Sequence, residues 1–323
     1  MGIVNMKTEK ILFLAIILLP FLLSAQINTS ENEDKGLPVL NNHYFVPSLA
    51  FPSPFITTYF KTGIGSGTSL TEIPISILDG ELSGTINAED TFVFASIDVQ
   101  VKVKDWMTAW FRTGMSARIG TSTPTILAHG FATGSDFEFG WLLRLLHNNK
   151  NQFAATISIV NTTVTSSNLL IYIKEIIDSP DSSDVTLSKM KNPLAGVAGL
   201  RYAYAFNDLW GIQAFFKVLY GEAILKNESN ILKFDTGILA SFEFSRYDVP
   251  VGVNFGYAVR KFDLFVNDQE DVTKNIFFEL VYTHNRHFNM GLNFSHINTQ
   301  TPLLVNISSL QFLSTTFVLN YFF

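Results

Sequence analysis

From Phe92 to Lys104 the chain changes character at every residue. Val93, Ala95, Ile97, Val99, Val101 and Val103 are apolar, while Ser96, Asp98, Gln100, Lys102 and Lys104 between them are polar or charged. A period of two marks a β-strand with two unlike faces, because successive side chains point to opposite sides of the pleat. One polar residue, Asp105, turns the chain, and 106–119 returns with the same alternation: Met107, Ala109, Phe111, Met115, Ala117 and Ile119 against Thr108, Arg112, Gly114, Ser116 and Arg118. Each arm is longer than the roughly 9–11 residues with which a tilted strand crosses a bilayer. A hairpin this long, apolar along one whole face, needs an apolar medium or partner along its whole length, and few folds supply one.

The unit recurs. Strands are expected at 55–65, 92–104, 106–119, 136–146, 152–162, 193–206, 209–221, 231–245, 251–262, 274–284, 288–296 and 310–323, about twelve in all. Their connections alternate strictly. Asp105, 147–151, 207–208, 246–250 and 285–287 are short, whereas 66–90, 120–135, 163–192, 222–230, 263–273 and 298–309 are long. Within the long ones, 73–78 and 82–86 read as a small hairpin or two extra wall strands, 124–130 as a helical turn between Pro124 and Gly130, and 168–177 as a short amphipathic helix. A soluble sandwich has no reason to sort its connections by length. A membrane barrel does, with short turns on the periplasmic side and long loops outside. Aromatic residues gather at strand ends (Trp106, Trp210, Tyr247, Phe262, Tyr282, Phe288, Tyr321), where an interfacial belt belongs.

Composition agrees. The 323-residue chain is 47% hydrophobic but only 15% charged, against about 25% charged in an ordinary soluble domain. Its one long apolar run, 11–23, is too short for a spanning helix. Lys7 and Lys10 precede that run and Ser24-Ala25 follow it, so 1–25 reads as a signal peptide cleaved after Ala25. Losing Lys7, Glu9 and Lys10 removes a net +1, taking the net charge from −6 to −7. That acidic balance argues against a nucleic-acid partner. The chain has no Cys, which excludes disulfides, thiol catalysis and Cys-metal sites. Without a second helix-length apolar run, a closed barrel is the remaining way to satisfy the backbone in lipid. Residues 26–54 form a periplasmic N-terminal segment and 55–323 the barrel. Pro47, Pro52 and Pro54 bar regular structure over 41–54, yet Tyr44, Phe45 and Phe51 make it too apolar for a bare linker. It is expected as a structured lead-in to the first strand, with tucking into the barrel mouth as the alternative.

The last strand, 310–323, ends the chain on Tyr321-Phe322-Phe323, with Phe323, Tyr321, Leu319 and Phe317 on one face. Here the sequence resembles the outer-membrane β-barrel proteins of Gram-negative bacteria, which typically end in a strand with a C-terminal Phe. The resemblance implies an all-β, transmembrane, antiparallel up-and-down barrel located in the cell outer membrane. It also implies an assembly signal at Phe323 and Tyr321, and outer-membrane lipid, the barrel assembly machinery and periplasmic chaperones as partners.

Alternation assigns fourteen charged side chains to the lumen. Nine are basic (Lys61, Lys102, Arg112, Arg118, Arg144, Arg201, Lys217, Lys233, Arg260) and five acidic (Asp98, Glu138, Asp235, Glu243, Glu279). One reading is a porin-like channel whose cations ease the passive passage of small, anionic solutes. The other is a filled lumen of paired side chains in a barrel that serves as a structural, surface-interaction or assembly component. A lipid hydrolase comes third, since no spacing brings a Ser and a His together as such a site requires. No catalytic residue, metal site or cofactor is expected. His284 and His287 alone are too few ligands for a metal.

Overall fold

The computed structural model describes residues 36–76, 83–121, 131–167, 188–222, 231–262, 271–299 and 310–323. The predicted helical turn at 124–130 and most of the predicted helix at 168–177 lie outside them. Fifteen strands are formed: β1 (Val39–Leu40), β2 (His43–Tyr44), β3 (Tyr59–Ser76), β4 (Ser83–Lys104), β5 (Met107–Gly120), β6 (Phe131–His147), β7 (Asn151–Ser167), β8 (Ser188–Lys191), β9 (Leu194–Ala205), β10 (Trp210–Gly221), β11 (Ile231–Glu243), β12 (Val251–Phe262), β13 (Asp271–Asn285), β14 (Phe288–Thr299) and β15 (Leu310–Phe322). Twelve of them build an antiparallel wall in which sequence neighbours pair, apart from β7, which passes over the short β8 to pair with β9. The ring closes where β15 pairs with β3, Phe322 opposite Tyr59 and Leu310 opposite Thr71. The result is a closed twelve-strand transmembrane-type barrel.

The barrel is inverted in polarity relative to a soluble protein. Ile64 (66% exposed), Met115, Ile157, Ile159, Phe255 and Leu313 stand on the outer surface, while Lys61, Arg201, Asp235 and Glu279 are buried inside. Lipid reverses the usual cost of exposing apolar side chains, and alternation along each strand delivers both faces at once. Trp106, Tyr247, Tyr321 and Phe323 are exposed near the short turns, as an aromatic girdle requires.

Two expectations are corrected. The segment 66–90 is not a long loop. β3 runs on to Ser76 and β4 starts at Ser83, with Ile73 opposite Ile86. The Gly- and Ser-rich stretch of β3 reads as loop because those residues weaken an isolated strand. Here Gly65 and Gly67 lie beneath the Phe94 and Phe92 rings, where a Cβ would come within 2.5 Å of a ring carbon. The first strand therefore begins at Tyr59 rather than residue 55. Ile56, whose parity in the expected strand 55–65 is opposite to that of the lumen-assigned Lys61, is 5% exposed and packs with Trp110, Leu142 and Ala154.

The larger surprise precedes it. Residues 37–58 do not lead in from outside but fill the barrel, so the alternative of tucking in holds. Asn41 and Asn42, both left-handed (φ 49° and 63°), turn β1 back onto β2, since a two-residue hairpin turn of this hand favours Asn. Beyond β2 the prolines keep the chain extended and irregular. Leu40, Phe45 and Phe55 pack with Ala203 and Ala205 of β9. Phe51 reaches deeper along the strands, against Phe215, Leu239 and Phe277.

Candidate functional site

The plug and the wall that grips it form the candidate site. Pro47, Pro52 and Pro54 contribute no N–H, and the plug beyond β2 belongs to no sheet, so its carbonyls need donors from elsewhere. The wall supplies them from side chains. Asn254 Nδ2 donates to Val46 O (3.2 Å), Lys61 Nζ to Ser48 O (2.8 Å) and Arg201 Nη1 to Ser53 O (2.8 Å). Gln152 Nε2 donates to Pro54 O (3.0 Å), and Gln100 Nε2 to both Phe55 O (2.7 Å) and Thr57 O (2.9 Å). Arg112 adds a longer bond to Leu49 O at 3.4 Å. In the other direction, Glu279 Oε1 accepts from the backbone N–H of Leu49 (3.0 Å) and Ala50 (3.4 Å). Asn293 donates to the same oxygen and Asn254 to Oε2. The contacts come from strands all round the ring, so the plug closes the lumen at this level.

Shape reinforces the polar grip. At Gly211 a Cβ would come within 2.6 Å of the Phe45 ring, and at Gly252 within 2.3 Å of a Val46 methyl. The wall is thus hollowed by glycine where plug side chains press against it. At the short-turn end His43, fully buried, places Nδ1 3.3 Å from Asp208 O, while its Nε2 has no partner among the described residues. Burial lowers the His43 pKa to about 4 and raises that of Tyr44. Tyr44 donates to Arg286 O and packs with Tyr59 and Phe322, so the plug touches the seam where the last strand meets the first.

The fourteen charged residues assigned by alternation fall into five settings. Lys61, Asp98, Arg112 and Glu138 lie directly opposite one another on β3, β4, β5 and β6, a ladder of alternating sign. Lys61 and Asp98 are 3.1 Å apart. Lys217, Asp235 and Arg260 repeat the arrangement on β10, β11 and β12, with Arg260 and Asp235 at 2.9 Å. Arg201, Glu243 and Glu279 are buried; Glu279 and Arg201 hold the plug, and Glu243 accepts from the Ser245 hydroxyl. Lys102 pairs with Asp105 near a short turn and Arg118 lies 3.9 Å from Asp90. Arg144 and Lys233 are half-buried. Reasoning from charge missed the neutral donors Gln100, Gln152 and Asn254, and Ser241, which accepts from Val46 N–H. Their signal was present: Gln100 shares the inward parity of Asp98, and Asn254 stands between the inward glycines 252 and 256.

No protein-family model matches the sequence, and no curated protein matches it. Solved structures do resemble the fold. An outer membrane channel from Pseudomonas putida F1 superposes with a TM-score of 0.55 at 8% identity, covering 86% of this chain and 100% of that one. The translocator domain of autotransporter NalP from Neisseria meningitidis gives 0.50 at 9% identity, over 83% of this chain and 89% of that one. At these identities the likeness is one of fold: the chain shares the closed-barrel architecture of outer-membrane channels and translocator domains.

Proposed function

We propose that this protein is an outer-membrane barrel of the channel-like kind whose lumen is shut at rest by its own N-terminal segment, and that passage of small solutes, anions foremost, requires the segment to shift. One observation carries the reading: residues 37–58 lie across the lumen, bonded through their backbone to side chains from strands around the wall. Such bonds contribute only about 0.5–1.5 kcal/mol each when net exchange with water is counted, and water can replace them when the segment shifts. The inward cations favour anions along the path, and the apolar outer face supports an outer-membrane location. The filled-lumen reading stands second, favoured by the breadth of the plug's contacts.

Planar-bilayer conductance separates the two. The protein lacking residues 26–58 is expected to show a large, anion-biased conductance and the intact mature chain a small or intermittent one. Silence from both forms would leave the structural reading in its place.

A further inference from the structure

Between plug and wall lies a small chamber bounded by Phe51 and Pro52 on one side and by Trp110, Arg112, Arg201 and Lys217 on the other. Two carboxylates, Asp98 and Glu138, also line it. Asp98 is already engaged, by Lys61 at 3.1 Å and by the Tyr59 hydroxyl at 3.2 Å. Glu138, which accepts from the Ser158 hydroxyl at 2.8 Å, and Asp235, opposite Lys217 but already bonded to Arg260, are the carboxylates that remain for Arg112, Arg201 and Lys217.

Those cations are poorly satisfied. Arg112 gives its one 3.4 Å bond to the plug. Arg201 spends one N–H on Ser53 O, and its Nε is buried without an acceptor among the described residues. Lys217 Nζ rests 5.5 Å from the centre of the Phe215 ring. The Trp110 indole Nε1, on the same chamber and with the Arg201 guanidinium 5.2 Å over its ring, is likewise buried without an acceptor. Buried N–H groups are nearly always paired, and like charges gathered away from bulk water repel strongly without a counter-ion. A water molecule could accept from the N–H groups but would leave the charge uncompensated. The space is too small for an organic solute.

We propose that the chamber is a built-in halide site: it holds one chloride-sized anion between Arg112, Arg201, Lys217 and the Trp110 N–H, fastening the plug to the wall. This goes beyond channel activity and stands whether or not any solute crosses the barrel. The anion occupies the inner side of the plug, so it should stabilise the docked arrangement by mass action.

The test uses the full mature protein refolded in detergent, with bromide as the probe. Crystals grown in bromide should give an anomalous peak within the chamber. Thermal unfolding at fixed ionic strength, with gluconate exchanged for chloride, should shift upward and saturate. Lys217→Met removes a cation that makes no bond to the plug, and Trp110→Phe removes only the N–H while keeping a ring. Each should weaken the apparent halide affinity by about tenfold or more, as expected when one partner of a buried charged contact is lost. A chamber without bromide, an ion found only at exposed surface sites, or chloride and gluconate giving the same melting curve for the wild-type protein would each overturn the proposal. The wild-type measurements decide the matter even if both variants misfold.

Discussion

At the scale of single residues, Glu279 and Gly252 do opposite jobs for the same plug. Glu279 is an acceptor placed where the chain leaves Pro47 and bends into the lumen, and it takes N–H groups from both plug and wall. Glu279→Ala would strand those donors, costing about 3 kcal/mol of plug docking. Limited proteolysis should then cut the 37–58 segment in the variant and spare it in the wild type. Gly252 contributes by absence. Gly252→Val puts a branched side chain into the space of the Val46 methyl, yet suits the strand itself. The expected outcome is a barrel that still shows heat-modifiable mobility in detergent gels but conducts more than the wild type. An unchanged conductance would mean that this end of the plug does not control the opening.

At the scale of the element, the plug carries its own pH dependence through His43. Its pKa in the docked state is about 4, below the ordinary value near 6.5 that an undocked, hydrated imidazole would have. Between those two values the undocked state binds more protons. Docking is therefore strongest above about pH 6.5, weakens as pH falls, and has lost the whole contribution by about pH 4. The shift corresponds to roughly 3 kcal/mol. The cause is physical: protonation would add charge and a donor at Nε2, which has no acceptor among the described residues. Conductance or protease cleavage measured from pH 7.5 to pH 4 should rise through this window, and His43→Phe should flatten the rise. Asp208, which pairs with Arg246 at 2.8 Å, and Arg286 are the charged neighbours that modulate it.

At the scale of the whole molecule, two predictions concern the wall. Ile157, 59% exposed on the outer face, meets lipid if the barrel spans a membrane. Ile157→Arg should then destabilise it by about 2–4 kcal/mol near the midplane, measured by reversible unfolding in lipid vesicles; a change below 1 kcal/mol would argue against a lipid-facing site. Phe323 lies on the outer face beside Tyr321, while Phe322 between them faces Tyr44 and Tyr59 inside. Deleting Phe323 should impair insertion by the assembly machinery in cells while leaving lumen contacts untouched, and normal levels of assembled protein would remove that role.

The sequence by itself determined the wall. Twelve strands and their antiparallel order follow from a period of two and from turn residues, because in lipid each inward or outward choice is strongly enforced along a strand. Strands such as β12, expected and found at Val251–Phe262, were legible because both of their faces meet a sharply different medium. β3 was not, because its glycines carry meaning only beneath rings from a neighbouring strand. The same holds inside the barrel. Inward parity was readable for Arg201 or Glu279, but their partners were not, since those lie some 150 or 230 residues away in the chain (Ser53 and Leu49). Only the closed ring brings a proline-rich segment, poor in its own donors, against a lining rich in them, and that meeting turns an open-looking lumen into a plugged one.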